Sequence, residues 1–247
     1  MSPPSPQSFG DREYKTFRDQ GYLRLGKLLS PQDLAALQER ADAIMMGEVR
    51  YEGMRYELDS KTGSYEDRIG KTTRHEMATL QYRRIDRMDL DRQFLAYMRH
   101  PLFRSITRRL IGENVASYRA MLFNKPARQG TELPWHRDSD YKGFEMTNVW
   151  TALDSATLAK GCMQIVPGSN RSAPENWLKE EPPSGKIVDL EADPGEAILL
   201  HGLVAHRSGV NPTPEPRRAF AYSYVDAAAP PHPDEGDALP LVFGSRG

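Results

Sequence analysis

The sequence predicts a mainly β protein with flanking helices and a jelly-roll barrel at its centre. Three observations lead there. From about residue 115 onward, short β-type runs recur between Gly, Pro and Asn turns, the pattern of an all-β sandwich or barrel. The longer helix-forming stretches are confined to roughly the first 112 residues. Two histidine-bearing segments, 134–138 and 206–211, lie about 70 residues apart and carry side chains that a barrel can bring to one mouth.

The elements follow in order. Residues 1–9 are Pro/Ser-rich and expected to fray. A short helix is expected over 11–19 and an alternating strand over 21–26. Ser30-Pro31 opens a second helix: the serine can accept a first-turn N–H, and a proline there loses no hydrogen bond. Leu34, Leu37, Ala41 and Ile44 then share one face as far as about residue 46. Residues 48–82 are polar and charged, a stretch expected to be a functional loop or lid. Its Arg68, Arg74, His75 and Gln81 read as solvated or structural residues. Helices follow at 91–99 and 101–111, with Gly112 as the stop. Strands are expected at 117–124, 146–153, 163–166, 186–190, 197–200, 203–207 and 219–225. The tail holds Pro230, Pro231, Pro233 and Pro240, too many for a regular element. The expected organisation is a single domain, 1–247. It has an α-rich part and lid over 1–112, a β core over 113–228 and an irregular strap over 229–247.

The totals exclude several classes. With 33 Lys+Arg against 34 Asp+Glu the net charge is −1, so neither a nucleic-acid footprint nor an electrostatic membrane anchor is indicated. Cys162 is the one cysteine, which rules out an internal disulfide and suits a reducing cytoplasm. No apolar run approaches the ~18 residues of a membrane helix. A small molecule is the expected partner.

His136 and Asp138, at i and i+2 of an extended segment, project from the same face. With a histidine from far along the chain they make a 2-His-1-carboxylate set. Such a set holds one face of an octahedral ion and leaves the other open, as non-haem Fe(II) oxygenases require. Two histidines compete for the third place, His201 and His206. Their odd offset puts them on opposite faces of an unbroken strand, and Gly202 between them can break it. His75, His100 and His232 have no partner in sequence and read as structural or surface residues. Arg217, if it points into a barrel, needs an anion, since burying a lone guanidinium is costly. Ser208 can share a face with His206 and add a hydroxyl donor; Arg218 should point the other way, towards solvent.

Further segments join these: Phe17-Arg-Asp-Gln-Gly21-Tyr22, Leu29-Ser30-Pro31, Asn148-Val-Trp150-Thr-Ala-Leu-Asp, Lys160-Gly161-Cys162-Met-Gln-Ile-Val-Pro167-Gly168-Ser-Asn170, Pro194-Gly195-Glu196 and His206-Arg-Ser208-Gly209-Val-Asn211. Together they resemble the phytanoyl-CoA dioxygenase family over about 11–226. The resemblance implies a double-stranded β-helix (jelly-roll, cupin-like) core that binds Fe(II), 2-oxoglutarate and O2. It implies His136, Asp138 and His206 as metal ligands, choosing His206 over His201. It also implies Arg217, eleven residues after His206, with Ser208 as anchors of 2-oxoglutarate, and Trp150 as the wall of that pocket. Lys125-Pro126 matches the family strand before the His-x-Asp pair without an assigned role.

The implied activity is oxidation of an unactivated C–H bond, by hydroxylation or oxidative cyclisation. Relatives that halogenate carry a small residue where Asp138 stands. Arg137, Asp140, Tyr141 and Tyr224 are candidate substrate contacts, alongside Glu175, Asn176, Trp177 and Tyr222. Such a set suits a small polar metabolite better than a lipid; a sugar-containing antibiotic intermediate of orthosomycin type is an analogy within the family. Two other classes compete: a non-catalytic metal- or ligand-binding barrel, and a cupin-type metal-dependent epimerase or isomerase.

Overall fold

The computed structural model describes residues 8–62, 65, 70, 72–139, 144–171, 186–231 and 239–245. In chain order the elements are α1 (Asp11–Gln20), β1 (Tyr22–Lys27), α2 (Pro31–Met45), β2 (Arg55–Leu58), β3 (Tyr82–Asp86), α3 (Arg92–Met98) and α4 (Pro101–Leu110). There follow β4 (Val115–Lys125), β5 (Leu133–His136), β6 (Thr147–Ala152), β7 (Met163–Ile165), β8 (Val188–Leu190), β9 (Glu196–His201), β10 (His206–Ser208), β11 (Arg217–Asp226) and β12 (Leu241–Phe243).

Local chemistry starts the helices where the sequence signals lie. The Ser30 hydroxyl accepts from the Asp33 N–H, with Pro31 at the first helical position of α2. Asp91 caps α3 through the N–H groups of Gln93 and Phe94. His100 caps α4 by accepting from the Leu102 N–H, a structural role for a histidine with no partner in sequence. His75 is structural too, with Nε2 2.7 Å from the Met45 carbonyl.

The strands form two antiparallel sheets. The larger runs β1-β9-β6-β11-β4-β3-β2, with β12 also pairing β4; the smaller runs β5-β10-β7-β8. From β4 to β11 successive strands change sheet at every step except β7 to β8, the jelly-roll order, with β9-β6-β11-β4 facing β5-β10-β7-β8. This is the double-stranded β-helix.

Strand parity divides the larger sheet between two cores. Phe220, Tyr222 and Tyr224 face the helices and pack with Phe17, Phe94 and Phe103. Ala219 and Ala221 face the barrel interior with Trp150, Met163 and Ile198. Both faces of the sheet are therefore packed against apolar cores.

Three local expectations need correction. Residues 48–82 are not wholly a lid: β2 and β3 extend the larger sheet through pairings such as Tyr56↔Ile85 and Arg84↔Phe123. The strand expected at 203–207 begins at His206, because Val204 N–H turns back to the His201 carbonyl. The C-terminal strap contains a regular element, β12, whose Leu241 pairs with Ala116. Pro233 and His232 lie outside the described residues. Among the described residues no helix is long and apolar enough to cross a membrane.

Candidate metal centre and its anion pocket

His136 ends β5 and His206 begins β10, and the two are direct cross-strand partners. Their rings lie 4.1 Å apart, centroid to centroid. Asp138 completes the group just past β5. Its Oδ1 is 3.8 Å from His136 Nε2 and its Oδ2 is 3.7 Å from His206 Nε2. Donor atoms of all three lie within 4.8 Å of one another. Donors at ~2.1 Å on one octahedral ion stand about 3–4 Å apart, so the spacing fits a divalent cation.

The backbone sets the ring orientation. His136 Nδ1 lies 2.8 Å from the Pro134 carbonyl and His206 Nδ1 lies 3.1 Å from the Val204 carbonyl. A carbonyl only accepts, so each Nδ1 carries the proton and each Nε2 offers a lone pair to the ion. Burial, and then the neighbouring His206, pull the His136 pKa down to about 4, so this imidazole is neutral near pH 7.

Asp138 is held from two sides. The Asn148 side-chain amide donates to Oδ2 at 2.7 Å. The N–H groups of Asp138 and Ser139 both donate to the Gly202 carbonyl at 3.0 Å. Gly202 allows that approach: a Cβ there would stand 3.1 Å from the Cβ atoms of Met146 and Ser139. The sequence shows Asn148 only within the family-like segment, with no role assigned to it. Its offset of two from Trp150 on a strand was the available signal, since it puts both on one face.

His201 lies elsewhere. It ends β9 with Nε2 3.5 Å from Glu145 Oε1 and its ring 5.7 Å from Phe17. Its Nδ1 accepts from the Leu203 N–H. Burial first, then Arg18, lowers its pKa to about 4.

The cavity beside the triad is lined by Trp150, Ser208 and Arg217 as well as His136, Asp138 and His206. Arg217 is 3% exposed. Its Nη2 donates to the Gly161 carbonyl at 2.8 Å, and its guanidinium lies 5.7 Å from the Trp150 ring centroid. Gly161 has φ +67°, and a Cβ on it would run into the Gly209 carbonyl at 2.3 Å, so glycine is needed where that acceptor is presented. Arg217 Nε has no hydrogen-bond partner, and burial lowers the guanidinium pKa to about 10. A buried cation with an unused donor facing a cavity calls for an anion from outside the chain. Donor set and orphaned guanidine together fit Fe(II) with an acidic co-substrate.

The expected substrate contacts fare differently. Tyr224 does not reach the cavity: it is fully buried on the helix side, its hydroxyl donating to the Met98 carbonyl at 2.6 Å. Arg137 points away from the triad, donating to the Ser169 carbonyl at 2.9 Å, because odd and even residues leave opposite faces. Asp140, Tyr141, Glu175, Asn176 and Trp177 lie outside the described residues. Arg218 is not solvated as expected; it pairs with Asp154 and Asp42 between sheet and α2.

Comparison with known proteins agrees with this geometry. The phytanoyl-CoA dioxygenase (PhyH) family matches residues 17–219. Human peroxisomal phytanoyl-CoA dioxygenase is 23% identical over 235 residues, covering 86% of this chain and 67% of that protein. A probable phytanoyl-CoA dioxygenase from Caenorhabditis elegans is 28% identical over 155 residues, 53% of this chain. The chain thus spans between half and two thirds of these relatives. Among solved structures, EctD from S. alaskensis with 2-oxoglutarate and 5-hydroxyectoine superimposes with a TM-score of 0.72. It is 20% identical, over 94% of this chain and 81% of that one. The non-heme alpha ketoglutarate dependent carbocyclase SnoK from nogalamycin biosynthesis gives 0.72 at 18% identity, over 98% and 100%. At these identities the structures show a shared fold.

Proposed function

This chain belongs to the phytanoyl-CoA dioxygenase family, and from that premise we propose that it is an Fe(II)- and 2-oxoglutarate-dependent dioxygenase. In this reading it oxidises a C–H bond of a small polar metabolite in the cytoplasm. The observation that carries the proposal is one cavity lined by both the His136–Asp138–His206 triad and the carboxylate-seeking Arg217. A metal site alone would suit a binding module; the buried guanidinium beside it matches a dicarboxylate co-substrate.

When bound, iron with 2-oxoglutarate and O2 supplies the oxidant for a C–H bond, with succinate and CO2 as by-products. The chain's own part is positional. His136, Asp138 and His206 hold the ion from one side, and Asn148 keeps Asp138 turned towards it. Arg217 and Ser208 hold the far carboxylate, while Trp150 walls that pocket and fixes the guanidinium plane. The apolar wall from Met163, Ala221 and Leu200 limits water around the reacting atoms.

Polar wall residues Thr131 and Ser223 support a hydroxyl-bearing substrate over a fatty chain. Hydroxylation and oxidative ring closure both fit Asp138, which retains the third protein ligand. Resemblance to a carbocyclase fold keeps natural-product tailoring in view, with an orthosomycin-type antibiotic intermediate as one analogue of the substrate. The test is incubation with Fe(II), 2-oxoglutarate and ascorbate in air. Succinate release that stops when O2 is removed is expected; no succinate at any O2 level would sink the proposal, and turnover of a sugar substrate without O2 would favour an isomerase.

A further inference from the structure

Arg137 lies between His136 and Asp138 in sequence, and parity turns it away from the ion. It is nonetheless buried, at 7% exposure. Its Nη2 donates to the Ser169 carbonyl at 2.9 Å. The Ser169 hydroxyl accepts from the Ala205 N–H, also at 2.9 Å, and the Ala205 carbonyl accepts from the Val166 N–H at 3.1 Å. Ala205 is the residue before His206. Ser169 therefore reaches both halves of the triad. Its carbonyl takes the residue between the first two ligands, and its hydroxyl takes the residue before the third.

The sheet's own ladder gives these positions little support. Asp138 lies past the end of β5, and His206 opens a strand of three residues. Pairing between β5 and β10 slips just beyond them: His206 stands opposite His136, but Ser208 stands opposite Leu133 rather than Pro134. A slip of this kind bends a strand and interrupts its hydrogen bonding. The turn that carries Ser169 is fixed from another side. The Gly168 N–H donates to the Gln20 carbonyl at 2.9 Å, and the Asn170 side-chain amide donates to the Arg18 carbonyl at 3.0 Å. Both acceptors belong to α1. A hydrogen bond from a guanidinium is charge-assisted, about twice as strong as a neutral one. Arg137 thus ties the first two ligands to an anchored turn by the stronger kind of bond.

We propose that Arg137 is a positioning residue for the metal centre. It clamps the His136–Asp138 segment to the Ser169 turn, and that turn fixes the backbone before His206. The three donors are thereby held at one separation before the ion arrives, which spares the cost of ordering them on binding. This assignment rests on the metal triad of the oxygenase reading.

The test is anaerobic competition for Fe(II) between the whole chain and a chelator, with the melting temperature of the metal-free protein recorded alongside. Arg137→Met keeps the apolar stem and loses the donors; it is expected to lose at least tenfold in Fe(II) affinity. Arg137→Lys keeps the charge and a donor, and is expected to recover most of that loss. Ser169→Ala keeps the carbonyl but not the hydroxyl that holds Ala205. It is expected to lose a comparable factor, and it carries the test should the methionine variant not fold. The double variant should lose no more than the weaker-binding single one, because both changes open the same clamp. Co(II) in place of iron should give an altered visible spectrum in Arg137→Met and an unaltered one in Arg137→Lys. Fe(II) affinities of Arg137→Met and Ser169→Ala within twofold of the unmutated protein would overturn the proposal, whatever the melting temperature does. So would single losses that simply multiply in the double variant. Failure of the unmutated protein to bind Fe(II) would overturn the metal-centre reading instead.

Discussion

Arg217 and Arg218, consecutive on β11, leave the sheet on opposite faces: the first enters the cavity under Trp150, the second pairs with Asp154 and Asp42 beside α2. One parity rule separates a cavity-lining cation from an ion-paired one. Arg217→Ala is expected to weaken 2-oxoglutarate binding by about 2–5 kcal/mol, the range for truncating one partner of a buried charge pair. Anaerobic titration reads this directly, and an unchanged affinity removes Arg217 from the anion pocket.

Arg218→Met is expected to show the converse. Its side chain is 12% exposed and Asp42 is 44% exposed. The loss is therefore about 3 kcal/mol of stability, the low end for breaking a buried pair. Urea unfolding should show it while 2-oxoglutarate affinity stays fixed.

Histidine substitutions separate the proposed metal ligand from its sequence neighbour. His206→Ala is expected to abolish stoichiometric Fe(II) binding. His201→Ala should retain the iron and lower the melting temperature, because it removes the contacts to Phe17 and Glu145. Metal analysis after desalting decides between them, and the reverse pattern would transfer the third ligand to His201.

Asn148→Leu removes the amide that orients the Asp138 carboxylate. Partners of this kind typically contribute 10–100-fold to metal affinity. Competition with a chelator should reveal a loss of about that size, with the circular-dichroism spectrum unchanged.

Tyr224→Phe is expected to cost about 1 kcal/mol of stability through the lost bond to the Met98 carbonyl. Substrate KM should not move. A raised KM with unchanged stability would return Tyr224 to the substrate site.

Much of this arrangement was legible because side-chain parity is local. The i, i+2 spacing of His136 and Asp138 survives folding, and so does the opposition of Arg217 to Arg218. Tyr224 could have been placed by the same rule, since an offset of seven from Arg217 is odd and puts it on the helix side. Other features depend on pairing between distant strands. That Lys125 stands opposite Arg217 is a matter of β4–β11 register, which no local pattern encodes. β2 and β3 escaped notice because they are short and carry Arg55, Glu57, Arg83, Arg84 and Asp86. Ion pairs such as Arg83–Glu57 make such residues tolerable in a buried strand, and those pairs exist only once the sheet has formed.

His136, His206 and Ser208 belong to the smaller sheet and Arg217 to the larger, so in the proposed function the co-substrate is gripped from both sheets at once. Packed sheets resist sliding or spreading, because side chains such as Trp150 and Met163 interlock between them. In the proposed function the two sheets act as a pair of fixed calipers. A diacid one methylene shorter or longer than 2-oxoglutarate is therefore expected to bind more weakly, because neither sheet can shift to meet it.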